Sequence, residues 1–428
     1  MRINRLDLTN FRGFERLEVE FQERLTLLVG ENGSGKTSLL EALCVALGGW
    51  LSGFEGIESH DKRNFIKADI RTISSSVNSA LLEQVPVIVK CNASLPSWNS
   101  INWTRSLLSI KGKTTTAGLR TLRLVTDHYN SKIYSGEDEG IILPLVAYYS
   151  VARQWNEPIR REYTVSRDRN RLSGYKKAII FSNSIRETMY SIDRLVFLAY
   201  QYEDAQEKIA AINAAIQTSL DTVLPGIYVY YDMHRAQFCV KDDEGLITPY
   251  SLLSDGYRGI TSLIFDICMR IMTLNPQLGA DAIKETSGVV LVDEIDLHLH
   301  PRWQQKVLDD LLRIFPKIQF IVTSHAPSVI QSVKKENLVI LDENKAYYPS
   351  QSVYGRDVNS ILVDIMGAKT RPEAIDKEFS DIYRLIDNGD IVLAEEKANA
   401  LEGILGDRDP DLTAIKVAIE LESLEDEV

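Results

Sequence analysis

Gly30-Glu31-Asn32-Gly33-Ser34-Gly35-Lys36-Thr37 follows directly on the apolar run Leu25-Thr26-Leu27-Leu28-Val29 and precedes Ser38-Leu39-Leu40-Glu41-Ala42-Leu43. A strand, a glycine-rich loop and a helix, in that order, are the context in which this pattern cradles phosphate. Gly30, Gly33 and Gly35 let the backbone turn sharply, so that N–H groups of the loop, with Asn32, Ser34 and Ser38 among its residues, face one concavity at a helix N-terminus. Lys36 is expected to reach the terminal phosphates of a nucleoside triphosphate, and Thr37 to ligate magnesium.

Some 250 residues later, Gly288-Val289-Val290-Leu291-Val292 runs into Asp293-Glu294-Ile295-Asp296. A fully buried strand ending in two carboxylates delivers both acids to one edge of a parallel sheet. Asp293 is the expected magnesium ligand, because a hard cation prefers oxygen, and Glu294 is positioned to polarise the attacking water. A third strand, Ile321-Val322-Thr323, leads to Ser324-His325-Ala326-Pro327; His325 is a candidate partner for the terminal phosphate and that water. His298 and His300 have metal-compatible spacing, but structural packing is the favoured reading. Ser254 and Gly256, in Leu252-Leu253-Ser254-Asp255-Gly256-Tyr257-Arg258 ahead of the apolar stretch Ile260 to Met272, supply a second anion site at a helix N-terminus.

Composition bounds the rest. The 428 residues suffice for two to three structural units. No apolar leader follows Met1-Arg2-Ile3-Asn4-Arg5, and no apolar run approaches the roughly 18 residues of a membrane span, which predicts a cytoplasmic protein without membrane coupling. Cys44, Cys91, Cys239 and Cys268 never form a Cys-x-x-Cys pair, so neither a zinc site nor a disulfide framework is expected. The net charge of −12 is concentrated in the tail: residues 367–428 hold 17 acidic and 7 basic side chains, a net of −10 that leaves −2 for the rest. Within that near-neutral remainder, Arg153, Arg160, Arg161, Arg167, Arg169, Arg171, Lys176 and Lys177 outnumber Glu157, Glu162 and Asp168. This segment is either a phosphate-contacting surface for nucleic acid or a solvated loop with ordinary ion pairs.

Along the chain, residues 1–75 read as an ATPase lobe that opens with two short strands, 76–180 as a β-rich insertion and 181–226 as a helical arm. A returning ATPase lobe follows over 227–366, starting with a hairpin at Tyr228 to Val240, and then an acidic helical extension over 367–428. The acidic tail can dock a basic partner, mimic nucleic acid, or simply cap the fold.

Asn10-Phe11-Arg12-Gly13-Phe14, the phosphate loop, Ser254-Asp255-Gly256-Tyr257, Leu291-Val292-Asp293-Glu294 and Thr323-Ser324-His325-Ala326-Pro327, in that order, resemble the ABC-type ATPase heads of SMC-like, RecF-like and OLD-like proteins. The resemblance implies an α/β fold with a mixed sheet and helices, ATP and Mg2+ as ligands, and Arg12 as a further nucleotide contact. It also implies a homodimer in which Ser254 and Gly256 of one head touch ATP held by the other. Ala147-Tyr148-Tyr149-Ser150-Val151-Ala152-Arg153 and Tyr354-Gly355-Arg356-Asp357 resemble, more closely, the ATPase subunit of Septu-type and retron-associated antiphage systems. That family works with a separately encoded HNH nuclease, and nucleic acid (DNA or a retron RNA–DNA) is a possible further partner. A DNA-repair ATPase and an OLD-like nuclease relative are the alternatives, although neither a Cys-x-x-Cys hook nor an OLD-type carboxylate cluster after His325 is present. The residue of the glutamine loop is not evident; Gln154 is the candidate.

Overall fold

The alternation at the start of the chain becomes two antiparallel strands, β1 (Arg2–Phe11) and β2 (Phe14–Glu20), joined through a tight turn at Arg12 and Gly13. In this computed structural model, residues 1–74, 81–136, 140–151, 170–180, 203–221, 226–232, 237–249 and 252–425 are described. The chain divides into two units, Met1–Ile361 and Leu362–Val428.

In the first unit, β3 (Leu25–Val29) leads through the glycine loop into α1 (Lys36–Leu51). All five residues of β3 and nearly all of α1 are buried, as expected of elements apolar on every side. A short hairpin of β4 (Thr72–Ser74) and β5 (Leu81–Glu83) precedes β6 (Val87–Leu95) and β7 (Trp98–Leu107). β6 pairs with β1, so the small sheet runs β2-β1-β6-β7 and crosses the expected boundary at residue 75. Residues 76–180 also hold a helix, α2 (Arg120–Ser135), which buries Leu122, Val125 and Tyr129 at helical spacing. Then come β8 (Leu145–Tyr149) and α3 (Glu203–Leu220), the described part of the expected helical arm; residues 181–202 lie outside the described residues.

The expected hairpin is a three-stranded sheet of β9 (Tyr228–Asp232), β10 (Gln237–Lys241) and β11 (Ile247–Pro249). It leads to α4 (Asp255–Leu274), β12 (Gly288–Val292), α5 (Val307–Ile314), β13 (Ile318–Thr323), β14 (Leu338–Asp342) and β15 (Lys345–Tyr347).

The central sheet has the order β15-β14-β3-β13-β12-β8. Every pair from β14 to β8 is parallel, and β15 adds an antiparallel edge, so the sheet is mixed. Parallel strands share one carboxyl edge, where ligands of open α/β sheets bind. Here the carboxyl ends of β3, β13 and β12 are neighbours, and they carry the glycine loop, His325 and the Asp293–Glu294 pair. Local pattern alone cannot give this order, since β3 sits between β14 and β13, both far from it in sequence.

The second unit is three helices, α6 (Glu373–Asp387), α7 (Ile391–Leu405) and α8 (Pro410–Glu425). They bury Phe379, Ile382, Ile386, Ala398, Leu401, Leu412 and Ile415 against one another. Arg371 ties the start of this unit to its last helix, pairing with Asp409 at 2.9 Å and Asp411 at 2.6 Å while lying over the Phe379 ring. The acidic extension expected over 367–428 thus has an apolar core of its own, shared by three helices. No helix among the described residues is long and apolar enough to cross a membrane, and all four cysteines are buried free thiols.

Candidate nucleotide site

The loop after β3 has the backbone that its glycines allow. Gly33 (φ 87) and Gly35 (φ 100) lie in the left-handed region. A Cβ on Gly35 would strike the Phe14 ring, and one on Gly30 would strike the Leu341 carbonyl and approach Ser34 Oγ to 2.7 Å. The β1–β2 turn therefore packs directly on the loop. Gly35 caps α1 without a side-chain acceptor, and the first turn of α1 carries no acid, which leaves its N–H groups for an anion. Ser34 Oγ is buried with no hydrogen-bond partner. A buried hydroxyl without a partner beside such a helix start fits a phosphate oxygen.

Lys36 is 6% exposed and its Nζ donates to the carbonyls of Gly30 and Glu31, both at 2.8 Å. Burial lowers its pKa, and Asp293 and Glu294 oppose that shift. Thr37 Oγ1 donates to Asp293 Oδ2 at 2.9 Å. Asp293, 2% exposed at the end of β12, accepts at its other oxygen from Thr323 Oγ1 at 2.7 Å. A hydroxyl and a carboxylate meeting at the loop make an oxygen donor set suited to magnesium.

Thr323 is a site residue that the motifs alone do not single out. Besides holding Asp293, its hydroxyl accepts from Glu294 N at 2.8 Å. Glu294 stands at φ 48, uncommon for a residue with a Cβ, and this hydrogen bond helps keep it there. A polar residue closing the apolar run Phe320-Ile321-Val322 was the available signal. His325 follows two residues on; burial and Lys36 lower its pKa, while Glu294, Asp296 and Asp293 pull the other way. These couplings place His325 in the same charged neighbourhood as Lys36 and the two acids.

Arg12, also in the left-handed region at φ 52, is engaged by carboxylates. Its Nε donates to Asp69 at 3.2 Å and its Nη2 to Glu41, one turn beyond Thr37 on α1. Arg63 closes the cluster, reaching Asp69 at 2.8 and 2.9 Å and Glu41 at 3.1 Å. Arg12 has 22% side-chain exposure against 7% or less for the other three, so it alone shows an appreciable face to solvent. Glu41, Arg63 and Asp69 carry no local motif and are visible only through their pairing.

Ser254 stands exposed at the N-cap of α4, its side chain making no cap hydrogen bond, with Asp255 paired to Arg258 just behind. Gly256 faces inward against the backbone of His298 and Leu299. His300 Nδ1 accepts from Arg302 N at 3.3 Å and caps a short helix. Among the described residues no group of three or more His, Cys, Asp or Glu is placed to hold a metal ion.

Of the basic segment, Arg153, Arg160, Arg161, Arg167 and Arg169 lie outside the described residues, as does Gln154. Arg171 is buried, donating to the carbonyls of Leu274 at 2.7 Å and Ile141 at 2.8 Å, so it braces main chain and does not belong to a phosphate-contacting surface. Lys176 and Lys177 are exposed.

A family profile described as AAA domain matches residues 5–223, just over half of the 428. The chain belongs to the AAA domain family. A second AAA domain profile, described also for the AbiEii toxin of type IV toxin–antitoxin systems, matches residues 142–331. This AAA-domain chain is 24% identical over 502 residues to the "Retron Ec83 probable ATPase" of Escherichia coli, an alignment covering 100% of the chain and 88% of that protein. It is 25% identical over 382 residues to the "Septu protein PtuA" of Bacillus thuringiensis, covering 85% of the chain and 84% of its relative. The SMC head domain from Thermotoga maritima superposes with a TM-score of 0.45 at 16% identity, covering 82% of this chain and 100% of that one. The chain's own elements make an α/β fold with a phosphate loop, a mixed sheet with helices and a helical C-terminal region.

Proposed function

We propose that this AAA-domain protein binds ATP with Mg2+, closes as a homodimer around two nucleotides, hydrolyses them slowly, and thereby controls a separately encoded effector nuclease of the HNH type in bacterial antiphage defence. The observation that carries the reading is the convergence of Thr37 and Thr323 on Asp293, which fastens the phosphate loop, the acid-bearing strand and the His325 strand to one point. Bound magnesium would supply charge neutralisation at the terminal phosphates, held from the Thr37 and Asp293 side. The chain's own residues do the rest. Lys36 leaves its loop carbonyls for the phosphate oxygens, Ser34 Oγ takes a partner, and Glu294 accepts a proton from the attacking water while His325 orients it.

Exposed Ser254 supports the two-copy arrangement, since a helix N-cap hydroxyl with no intramolecular cap bond is available to a neighbouring molecule's ligand. The retron and Septu relatives support the defence role and the separate effector. The test is steady-state ATP hydrolysis by the wild type and Glu294→Gln, with copurification of the product of the adjacent gene. Turnover that needs Glu294 and capture of a nuclease support the reading. Glu294-independent hydrolysis would contradict its chemical part, and a neighbour with no nuclease activity would contradict its biological part.

A further inference from the structure

The segment carrying Ser254 and the loop carrying Glu294 touch within one chain. Gly256 is buried in the first turn of α4. A Cβ built there would fall far inside contact distance of the His298 carbonyl oxygen, 3.2 Å from the His298 carbonyl carbon and 3.5 Å from Leu299 Cα. All of these obstacles are backbone, so no side-chain rotation relieves them. One residue on, the Tyr257 ring sits 4.7 Å from the ring of Trp303, which is 1% exposed. The start of α4 is seated on residues 298–303.

From His298 back to Glu294 the chain has little freedom. Leu297 N donates to Glu294 O at 3.1 Å and Leu299 N to Asp296 O at 2.9 Å, two overlapping turns. Glu294 (φ 48), which opens the first turn, and His298 (φ 61), inside the second, both hold the left-handed conformation that a Cβ disfavours. The Glu294 end is pinned by its N–H to Thr323 Oγ1, the hydroxyl that also grips Asp293. A push on His298 therefore meets no soft residue before it reaches Glu294.

We infer that the Gly256–His298 contact is a joint through which the first turn of α4 sets the position of Glu294, which makes Gly256 and His298 positioning residues and not ligand contacts. This rests on the two-copy reading above: Ser254 serves the site of the other copy, whereas Glu294 serves its own. The joint ties the site that each chain completes to the site that it owns, and turnover at the two is linked. Glycine is required at 256 because its own chain fills the space where a Cβ would go.

The experiment compares Gly256→Ala and His298→Gly with wild type in the full chain, reading affinity for a fluorescent ATP analogue, kcat, the Hill coefficient and thermal stability. The mass of Glu294→Gln in ATP and Mg2+ is measured alongside. Alanine favours the helix that it enters, and glycine at 298 keeps the carbonyl while freeing the backbone, so the second variant reads the joint even where the first folds poorly. Both variants are expected to keep the affinity of wild type, to lose about a hundredfold in kcat, the usual cost of an ångström-scale misplacement of a catalytic group, and to drop from a Hill coefficient above one to one. Loss of affinity at unchanged kcat in Gly256→Ala would make Gly256 a phosphate contact and overturn the inference. Wild-type kcat and Hill coefficient in both variants would overturn the joint alone, provided that Glu294→Gln dimerises. A monomeric Glu294→Gln would remove the two-copy reading and the linkage together.

Discussion

Thr37 Oγ1 donates a hydrogen bond of 2.9 Å to Asp293 Oδ2 across 256 residues of sequence. Thr37 lies in the first turn of α1, beyond the loop that follows β3, and Asp293 directly follows β12 of the same sheet, so the bond brings the phosphate loop and the acidic strand end together at one cluster of oxygen donors. Thr323 holds the other oxygen of the same carboxylate. The site is therefore a three-strand junction, and its stability and its chemistry depend on the same few hydrogen bonds.

Thr323→Val keeps the shape of the side chain and removes its hydroxyl. Asp293 loses a donor and Glu294 N an acceptor, both in a buried setting, so unfolding free energy should fall by about 1–3 kcal/mol. Denaturant melts would show this, with ATP hydrolysis slowed because Glu294 is no longer held. Thr323→Ser should restore both, and failure to do so would remove Thr323 from the site.

Gly35→Ala asks a residue with a Cβ to hold φ 100 and to occupy space taken by the Phe14 ring. A strain of about 1–3 kcal/mol is expected, together with loss of nucleotide binding, since the loop must move. Isothermal titration with an ATP analogue measures the second effect; unchanged affinity would show that the loop tolerates the shift.

The pKa of His325 is lowered from 6.5, chiefly by burial and then by Lys36. In the unfolded chain this histidine takes up a proton as pH falls through about 6.5, whereas the folded chain resists until lower pH. Below 6.5 the unfolded state binds more protons, so stability declines as pH drops toward the folded pKa and is unaffected by this group above 6.5. Removing the imidazole in His325→Gln should flatten that part of a stability–pH curve, and ring NMR of the wild type should place the titration below 6.5. A titration at or above 6.5 would contradict the environment described.

Asp69 is fully buried and accepts from Arg12, from both terminal nitrogens of Arg63 and from Ile66 N. Asp69→Ala leaves two guanidinium groups short of a partner and should cost about 3–5 kcal/mol, read by chemical denaturation. A cost below about 1 kcal/mol, the level of an exposed pair, would mean that the cluster is solvated.

Much of this site is legible in the sequence because each motif solves a local problem. Gly33 and Gly35 announce a backbone that only glycine adopts freely, and four apolar residues before Asp293 announce a buried strand with acids at its end. Other parts are silent because their logic is non-local. Arg12 meets Asp69 across 57 residues and Glu41 across 29, and nothing near any of them signals the pairing. α2 is obscured differently: Leu122, Val125 and Tyr129 form its buried stripe, but exposed Leu124 and the nearby β-branched residues blur the helical period into a β-like one. The inward face of Gly256 was also hidden, since a glycine beside a serine at a helix start reads equally as phosphate contact or as close packing.

The most direct test of the account is the solution mass of Glu294→Gln protein with and without ATP and Mg2+, measured by light scattering on a sizing column. Slowed hydrolysis should trap the nucleotide between two copies, so the account predicts a monomer mass without nucleotide and twice that mass with it, the increase abolished by Ser254→Arg. A mass that stays monomeric in saturating ATP and Mg2+ would contradict it.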